Sequence, residues 1–342
     1  MLPQQPMTNN LITLAHGGGG ERTHALIRDV VLRYLGNPTL NCLDDGACIE
    51  IAESRLVMTT DSYVVDPIFF PGGDIGKLSV CGTINDLVMQ GGDPRFMSLG
   101  LILEEGLRVA DLEQVIASAA GVLQSTGVAV VTGDTKVVER GKGGGVFINT
   151  TGIGARREGI DVHVGNARPG DSVIVSGTIG DHGIAVMSAR EGLRFESDIV
   201  SDVAPLWGMI KPLWDEGIPL RCLRDPTRGG VAAALCDIAR ASGAGIRVRE
   251  KTLPVRRQVR GACDLLGLDP LEVANEGKAI VVCDPSSTER ALAILKQSDS
   301  GRDATEVGTV VESHPGTVVM ETRIGAERIV DVPSGEQLPR IC

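Results

Sequence analysis

The residues that could do chemistry in this chain gather in a few acidic stretches. The strand-like runs "LVMTTD", "VAVVTGD" and "PLRCLRD" each read as ending on an acid: Asp61, Asp134 and Asp225. A fourth stretch, "LDDGA", sets Asp44 and Asp45 side by side before a glycine. Carboxylates that converge on one point repel unless a proton or cation lies between them. A hard cation such as Mg²⁺ takes a few carboxylate oxygens and completes its shell with water and substrate phosphates. Acids repeated at strand ends suit that use, although each singly also reads as a helix cap or a turn residue.

Three further stretches carry weaker signals. "AHGGGGE" is a glycine run before a helix, where bare N–H groups can wrap phosphate oxygens. It lacks the spacing of a Walker loop, and no GxGxxG follows a strand. "GDTKVV" sets Lys136 two residues after Asp134, just past the expected strand end; a lysine there either meets phosphates and a reacting amide or is simply solvated. In "RDPTRGG", Asp225-Pro226 fixes a turn and Arg228-Gly229-Gly230 opens an apolar helix as an anion-facing start. The chain ends "PSGEQLPRIC", with Cys342 at its terminus. Ends are usually the least ordered part of a domain, and an exposed thiol there is either fortuitous, packed at a strand end, or functional.

Positioning these groups falls to alternating helices and strands. Apolar residues recur with helical period over Glu21 to Leu35, closed by Gly36. Strands follow at "RLVMTTD", "RFMSLGLIL" and "VAVVTGD", separated by helices at "DIGKLSVCGTINDLVMQGG" and "VADLEQVIASAAGVLQSTG". The polar, turn-rich "ARREGIDVHVGNARPGD" marks a domain junction near 156–171. The second half resumes with "SVIVSG", helices around 181–191, 203–216 and 228–242, then "KAIVVCD", the helix "PSSTERALAILKQ" and the strand "TVVMET". No short repeat is visible, so a solenoid is not expected.

Composition narrows the partners. At 342 residues two domains are the better expectation. Hydrophobic residues are 42% and charged residues 23%, as in globular proteins, while only nine residues are aromatic, so the cores must rest on aliphatic side chains. The net charge of -11, with no basic block, argues against nucleic acid or an anionic membrane as the main partner. No apolar run reaches the ~18–20 residues of a membrane span, and "MLPQQPMTNN" has no signal-peptide pattern. Eight cysteines without a CxxC pair, and five unclustered histidines, speak against structural zinc. A reduced, cytoplasmic protein is expected.

"LDDGA", "TTD", "GTINDLVMQGGDP", "TGDTKVV" and "RDPTRGG", in this order, resemble the PurM-like ATP-binding superfamily over nearly the whole chain. The terminal "PRIC" narrows the resemblance to the HypE family of carbamoyl-dehydrating nickel–iron hydrogenase maturation proteins. It implies an α+β / α/β fold of two PurM-like lobes with a flexible C-terminal tail. The expected division is a Gly-rich segment and helix over 1–40, an ATP-binding domain over 41–160, a C-terminal domain over 161–331 and a mobile tail over 332–342. In that family the carbamoyltransferase HypF loads the terminal cysteine with a carbamoyl group. ATP-dependent dehydration turns this thiocarboxamide into a thiocyanate, and the cyano group passes to iron on a HypC–HypD complex. A homodimer paired through the first-lobe sheets is also implied.

Carried onto this chain, the resemblance makes Cys342 a swinging arm. Eleven residues beyond Asp331 span on the order of 35 Å when extended, stiffened by Pro333 and Pro339 and hinged at Gly335. ATP is expected on Asp45, Asp61, Asn85, Asp86, Gly133, Asp134, Thr135 and Asp225, and Mg²⁺ on Asp44, Asp45, Asp61, Asp86 and Asp225. The base that strips the amide protons is Lys136 or Glu276, the latter from "NEGK". Sequence does not decide between them.

Two other classes compete. Selenophosphate synthetase has a nucleophilic Cys or selenocysteine and a Lys in its glycine-rich segment, and "AHGGGGE" has neither; thiamine-monophosphate kinase gives the terminal thiol no role. A non-catalytic thiol carrier would bind nucleotide only structurally and hydrolyse none. The arm itself is testable. Cys342→Ala should keep fold and ATP binding and lose carbamoyl acceptance from HypF; carbamoyl label retained on the variant would refute it.

Overall fold

The computed structural model describes residues 11–17, 21–42, 55–190 and 198–332. Asp44, Asp45 and Cys342 lie outside the described residues, as does most of the glycine run. The N-terminal helical stretch is α1 (Glu21–Leu26), a π-helical turn Ile27–Val31, and α2 (Leu32–Leu35). The first lobe continues through β1 (Leu56–Tyr63), β2 (Phe69–Phe70), β3 (Gly73–Asp74), α3 (Ile75–Met89), β4 (Gly92–Glu104), α4 (Val109–Thr126), β5 (Ala129–Val138) and β6 (Val146–Arg156). The second contains β7 (Ser172–Val175), α5 (Asp181–Arg190), α6 (Trp207–Asp215), β8 (Leu220–Arg224), α7 (Gly230–Ser242), β9 (Gly245–Arg249), α8 (Arg257–Leu266), β10 (Ile280–Cys283), α9 (Thr288–Leu295), β11 (Thr305–Val311), β12 (Val318–Glu321) and β13 (Glu327–Val330).

Local chemistry sets the main boundaries. Asp74 caps α3 by accepting from the N–H groups of Gly76 and Lys77 at 2.8 and 3.0 Å. Gly127, in the left-handed region, ends α4 where the apolar periodicity stops. The helix expected over 203–216 starts only at Trp207, because the residues before it are tied by the side-chain hydrogen bonds described below.

The first sheet has the order β1-β6-β4-β5, antiparallel except for the β4–β5 pair. The second has the order β13-β12-β9-β11-β7-β10-β8, antiparallel except for β9–β12. A picture of strands ending on acids at one carboxyl edge therefore needs correction. Asp61 lies inside β1, which runs on to Tyr63, and Asp134 and Lys136 lie inside β5; only Asp225 follows its strand directly.

The two lobes share a core. Residues Ile174, Val281 and Cys283, on one face of the second sheet, join a cluster with Ile84, Val88 and Leu103 of the first lobe, bridged by Leu206, Ile210 and Leu213. The alternate residues Val173, Val175, Ile280 and Val282 face α7 in a second cluster. Buried on both sides, β7 and β10 are continuous apolar runs. The first sheet is different: α3 covers one face, while the other exposes Leu56, Met58 and Ile102 at 51%, 69% and 42%.

Candidate active site

A cleft of about 360 Å³ runs along β1, the outer strand of the first sheet among the described residues, where the lobes meet. β1 lines it with Thr59, Asp61 and Tyr63 from the helix-covered face, and with Met58 and Ser62 from the open one. Helix α3 contributes Asp86; the turn after β8 contributes Asp225, Thr227 and Arg228; Glu276 enters from the loop before β10. Four acids from four separate segments thus border one space.

Their placement follows from close packing. Tyr63 crosses above Gly82 of α3, where a β-carbon would lie 2.3 Å from the phenol oxygen, so a side chain there would expel the ring. The Tyr63 hydroxyl lies 3.3 Å from Asp61 Oδ2 and 3.3 Å from Thr83 Oγ1. Thr59 donates to Asp86 Oδ2 at 2.8 Å. Asn275 bonds the carbonyl of Pro226 through its backbone N–H at 3.1 Å and its side-chain amide at 3.0 Å, pinning the Asp225 turn against the Glu276 loop.

The electrostatics are strained by design. Burial, then the neighbouring carboxylates of Asp225 and Asp61, pushes Asp86 well above the usual carboxylate range. Asp225 is also raised, chiefly by burial and further by Asp61, despite Arg224 beside it. Burial and Asp61 likewise raise Tyr63. Crowded, partly dry acids of this kind call for a positive partner. Among the described residues no three metal-ligating side chains form a ready cation site. The donor set instead suits Mg²⁺ that shares its shell with phosphate and water.

Other expected site residues lie elsewhere. Asn85 is 1% exposed and faces away from the cleft. Its amide donates to the carbonyls of Ala204 and Glu276 at 3.1 and 3.3 Å and accepts from Leu206 N–H at 2.7 Å. It joins the lobes and has no donor left for a nucleotide. Gly133, Asp134, Thr135 and Lys136 sit on β5, at the opposite edge of the sheet, three strand spacings or about 14 Å from β1. Lys136 pairs in register with exposed Ile102, so it is on the open face. Within one chain, Lys136 and Glu276 do not meet. Thr59, Tyr63 and Thr227 were missed from sequence; their only signal is adjacency to Asp61 and Asp225.

Five cysteines, Cys81, Cys222, Cys236, Cys263 and Cys283, are buried and free. Burial pushes their thiols up, Cys222 to about 12 and Cys263 and Cys283 to about 11. None is a ready nucleophile.

Residues 43–155 match the family AIR synthase related protein, N-terminal domain, and 168–321 its C-terminal domain. The chain is 49% identical over 336 residues to carbamoyl dehydratase HypE of Azotobacter vinelandii, covering 98% of each. It superposes with a TM-score of 0.93 on hydrogenase maturation protein HypE crystallised in complex with ATP, at 47% identity, covering 96% of this chain and 99% of that one. A chain of the crystallised HypE–HypF complex gives a TM-score of 0.79 at 48% identity, covering 90% and 100%.

The raised acid has a measurable signature. With its folded pKa above the unfolded value, Asp86 contributes stability that is complete below the ordinary carboxylate range and lost as pH rises through the folded pKa. Asp86→Asn should therefore raise the nucleotide-free Tm by about 2–4 °C above neutral pH, with the two proteins converging towards about pH 4. Calorimetry across pH checks this; equal Tm values at every pH would show that the crowding carries no penalty.

Proposed function

The chain belongs to the HypE family, and on that footing we propose how its residues carry out the family's reaction. It is an ATP-dependent carbamoyl dehydratase acting in hydrogenase maturation. The other PurM-like ATPases and the passive carrier give way to this reading. The observation that carries the site assignment is the convergence of Asp61, Asp86, Asp225 and Glu276 on one cleft.

Dehydrating a thiocarboxamide requires its oxygen to leave as phosphate and both amide protons to be removed. The amide oxygen takes the phosphoryl group of ATP, the C–O bond then breaks, and the nitrogen lone pair completes the nitrile of a thiocyanate. Positioning and charge neutralisation supply most of the catalysis in phosphoryl transfer. Asp61, Asp86 and Asp225, joined by Asp44 and Asp45, would hold Mg²⁺, which neutralises phosphate charge when bound. Thr227 and Arg228, which border the cleft just before α7, are suited to phosphate oxygens. Glu276, 5% exposed and bordering the cleft, is placed to take a proton from a carbamoyl group carried in on Cys342. HypF is the partner that loads Cys342, and a HypC–HypD complex the acceptor of the cyano group, in a reducing cytoplasm.

Lys136 enters this scheme through a homodimer. The open sheet face carries Met58 and Ser62, which also line the cleft. A second copy seated on that face therefore borders the cleft and can present its own β5, with Gly133, Asp134, Thr135 and Lys136. Glu276→Gln should accept the carbamoyl group and accumulate it, with dehydration slowed ~10²–10⁴-fold; intact mass resolves the two forms, which differ by one water. A wild-type rate in Glu276→Gln would remove it from the mechanism.

If the two residues work across a dimer, mixing Lys136→Ala with Glu276→Gln protein should restore activity through the hybrid, which holds one cleft with both residues intact. Two inactive parents whose exchanged mixture stays inactive would rule out a shared cleft.

A further inference from the structure

The Glu276 carboxylate needs a fixed backbone, because its segment, the loop between α8 and β10, packs against the first lobe without secondary structure. Residues 201–206 supply it. This stretch is tied to the first lobe at both ends: Ser201 N–H donates to the carbonyl of Pro71 at 2.8 Å, and Ala204 and Leu206 are both held by Asn85. Between those ties, Asp202 faces the second lobe. Its Oδ1 accepts the backbone N–H of Glu276 at 3.0 Å. The backbone of Asp202 also lies against Gly277, where a β-carbon would fall 1.8 Å from its carbonyl oxygen. Nothing larger than glycine fits, so the two segments are locked in contact.

Asp202 is a costly residue for this task, and that cost is informative. Its side chain is 3% exposed, and Oδ2 has no hydrogen-bond partner. Its compensation is Coulombic: Lys278 Nζ lies 3.4 Å away, on a side chain 8% exposed. A buried pair of this kind is weak as a source of stability, and apolar side chains of similar size often serve as well or better. Lys278 follows Glu276 by two residues, so the ion pair grips the same turn a second time. Lys278 Nζ also reaches the Gly277 carbonyl at 3.4 Å.

We propose that Asp202 is a positioning residue for dehydration: paired with Lys278 and bonded to Glu276 N–H, it fixes the Glu276 carboxylate against the acids of the first lobe. The inference rests on the assignment of Glu276 to proton removal. It also explains why the cleft keeps its shape across the lobe boundary, since Asn85 and Asp202 hold one segment from its two sides, and Asp86 is the residue next to Asn85. A misplacement of about 1 Å at a reacting group can cost ~10²-fold in rate, so a loose Glu276 turn should show in kcat before it shows in ATP binding.

The test removes the charge problem first. In a Lys278→Met background, Asp202→Asn keeps an oxygen acceptor for Glu276 N–H, while Asp202→Leu removes it at similar volume. Single-turnover water loss from carbamoylated Cys342 is read by intact mass, together with the KM for ATP. The Asn double variant should run close to the wild-type rate. The Leu double variant should be ~10–100-fold slower at unchanged KM, and once Glu276→Gln is added the rate should be no lower than that of Glu276→Gln alone, because a carboxylate that is absent cannot be misplaced. Equal rates for the two double variants, or a full multiplicative loss on adding Glu276→Gln, would overturn the proposal while leaving Glu276 in the mechanism. An unimpaired Glu276→Gln single variant would overturn both readings. Should either double variant fail to fold, hydrogen exchange over 273–280 in the wild-type protein decides: slow exchange of Glu276 N–H supports the bracket, and exchange at the rate of an exposed loop overturns it.

Discussion

Like charges confined to a half-dry space push their supports apart. The cleft sets Asp61, Asp86, Asp225 and Glu276 on β1, α3, the turn after β8 and the loop before β10, so the repulsion acts across the boundary between lobes. Two independently hinged domains would relax by opening. This chain resists because the lobes are one body where it matters: a common aliphatic core runs from Ile84 and Val88 through Leu206 and Ile210 to Val281, and Asn85 adds three backbone hydrogen bonds across the same seam. Asp86 and Asp225 are raised first by burial and then by neighbouring carboxylates, so the frame keeps these acids both dry and close.

The same constraint explains which polar residues are buried. Asn85, Asn275 and Asp202 do not face substrate, yet each is tied to the backbone of a segment that does. Asn275 holds the Asp225 turn, Asn85 holds the 204–206 strap, and Asp202 holds Glu276. A loop that packs irregularly at the boundary between lobes has no sheet ladder to satisfy its amides, and side-chain amides and carboxylates take the ladder's place.

Much of this could be read beforehand, and the failures have physical causes. The helices at α3, α4 and α9 and the strands β4, β7, β10 and β12 follow from periodicity and end signals. β6 carries no strand signal, because Asn149, Thr150, Thr151, Gly152 and Gly154 look like a turn; in the fold Gly152 is small so that Thr83 and Leu87 of α3 can lie on it. The acids were visible as residues but misjudged in setting: "TTDSY" continues as strand because Thr60 and Ser62 pair outward with Thr151 and Asn149. The resemblance implied Asn85 as an ATP ligand beside Asp86, but successive helix positions point about 100° apart, and Asn85 is turned to the lobe seam. Asp202 was illegible, for nothing in "IVSDVAPLW" marks an aspartate whose partners lie more than seventy positions away.

The buried thiols have a bearing on timing. In the finished fold, five cysteines are withdrawn from solvent and their thiolates disfavoured, so a transferase that modifies sulfur needs little discrimination against them. An emerging chain offers no such protection: all eight sulfurs are then comparable targets. On the proposed function, protection of these five sulfurs is delegated to folding, and the body would have to close before the arm is charged. Anything that slows closure, such as a core mutation or heat stress, would surface first as misplaced adducts on interior sulfur, ahead of any fall in turnover.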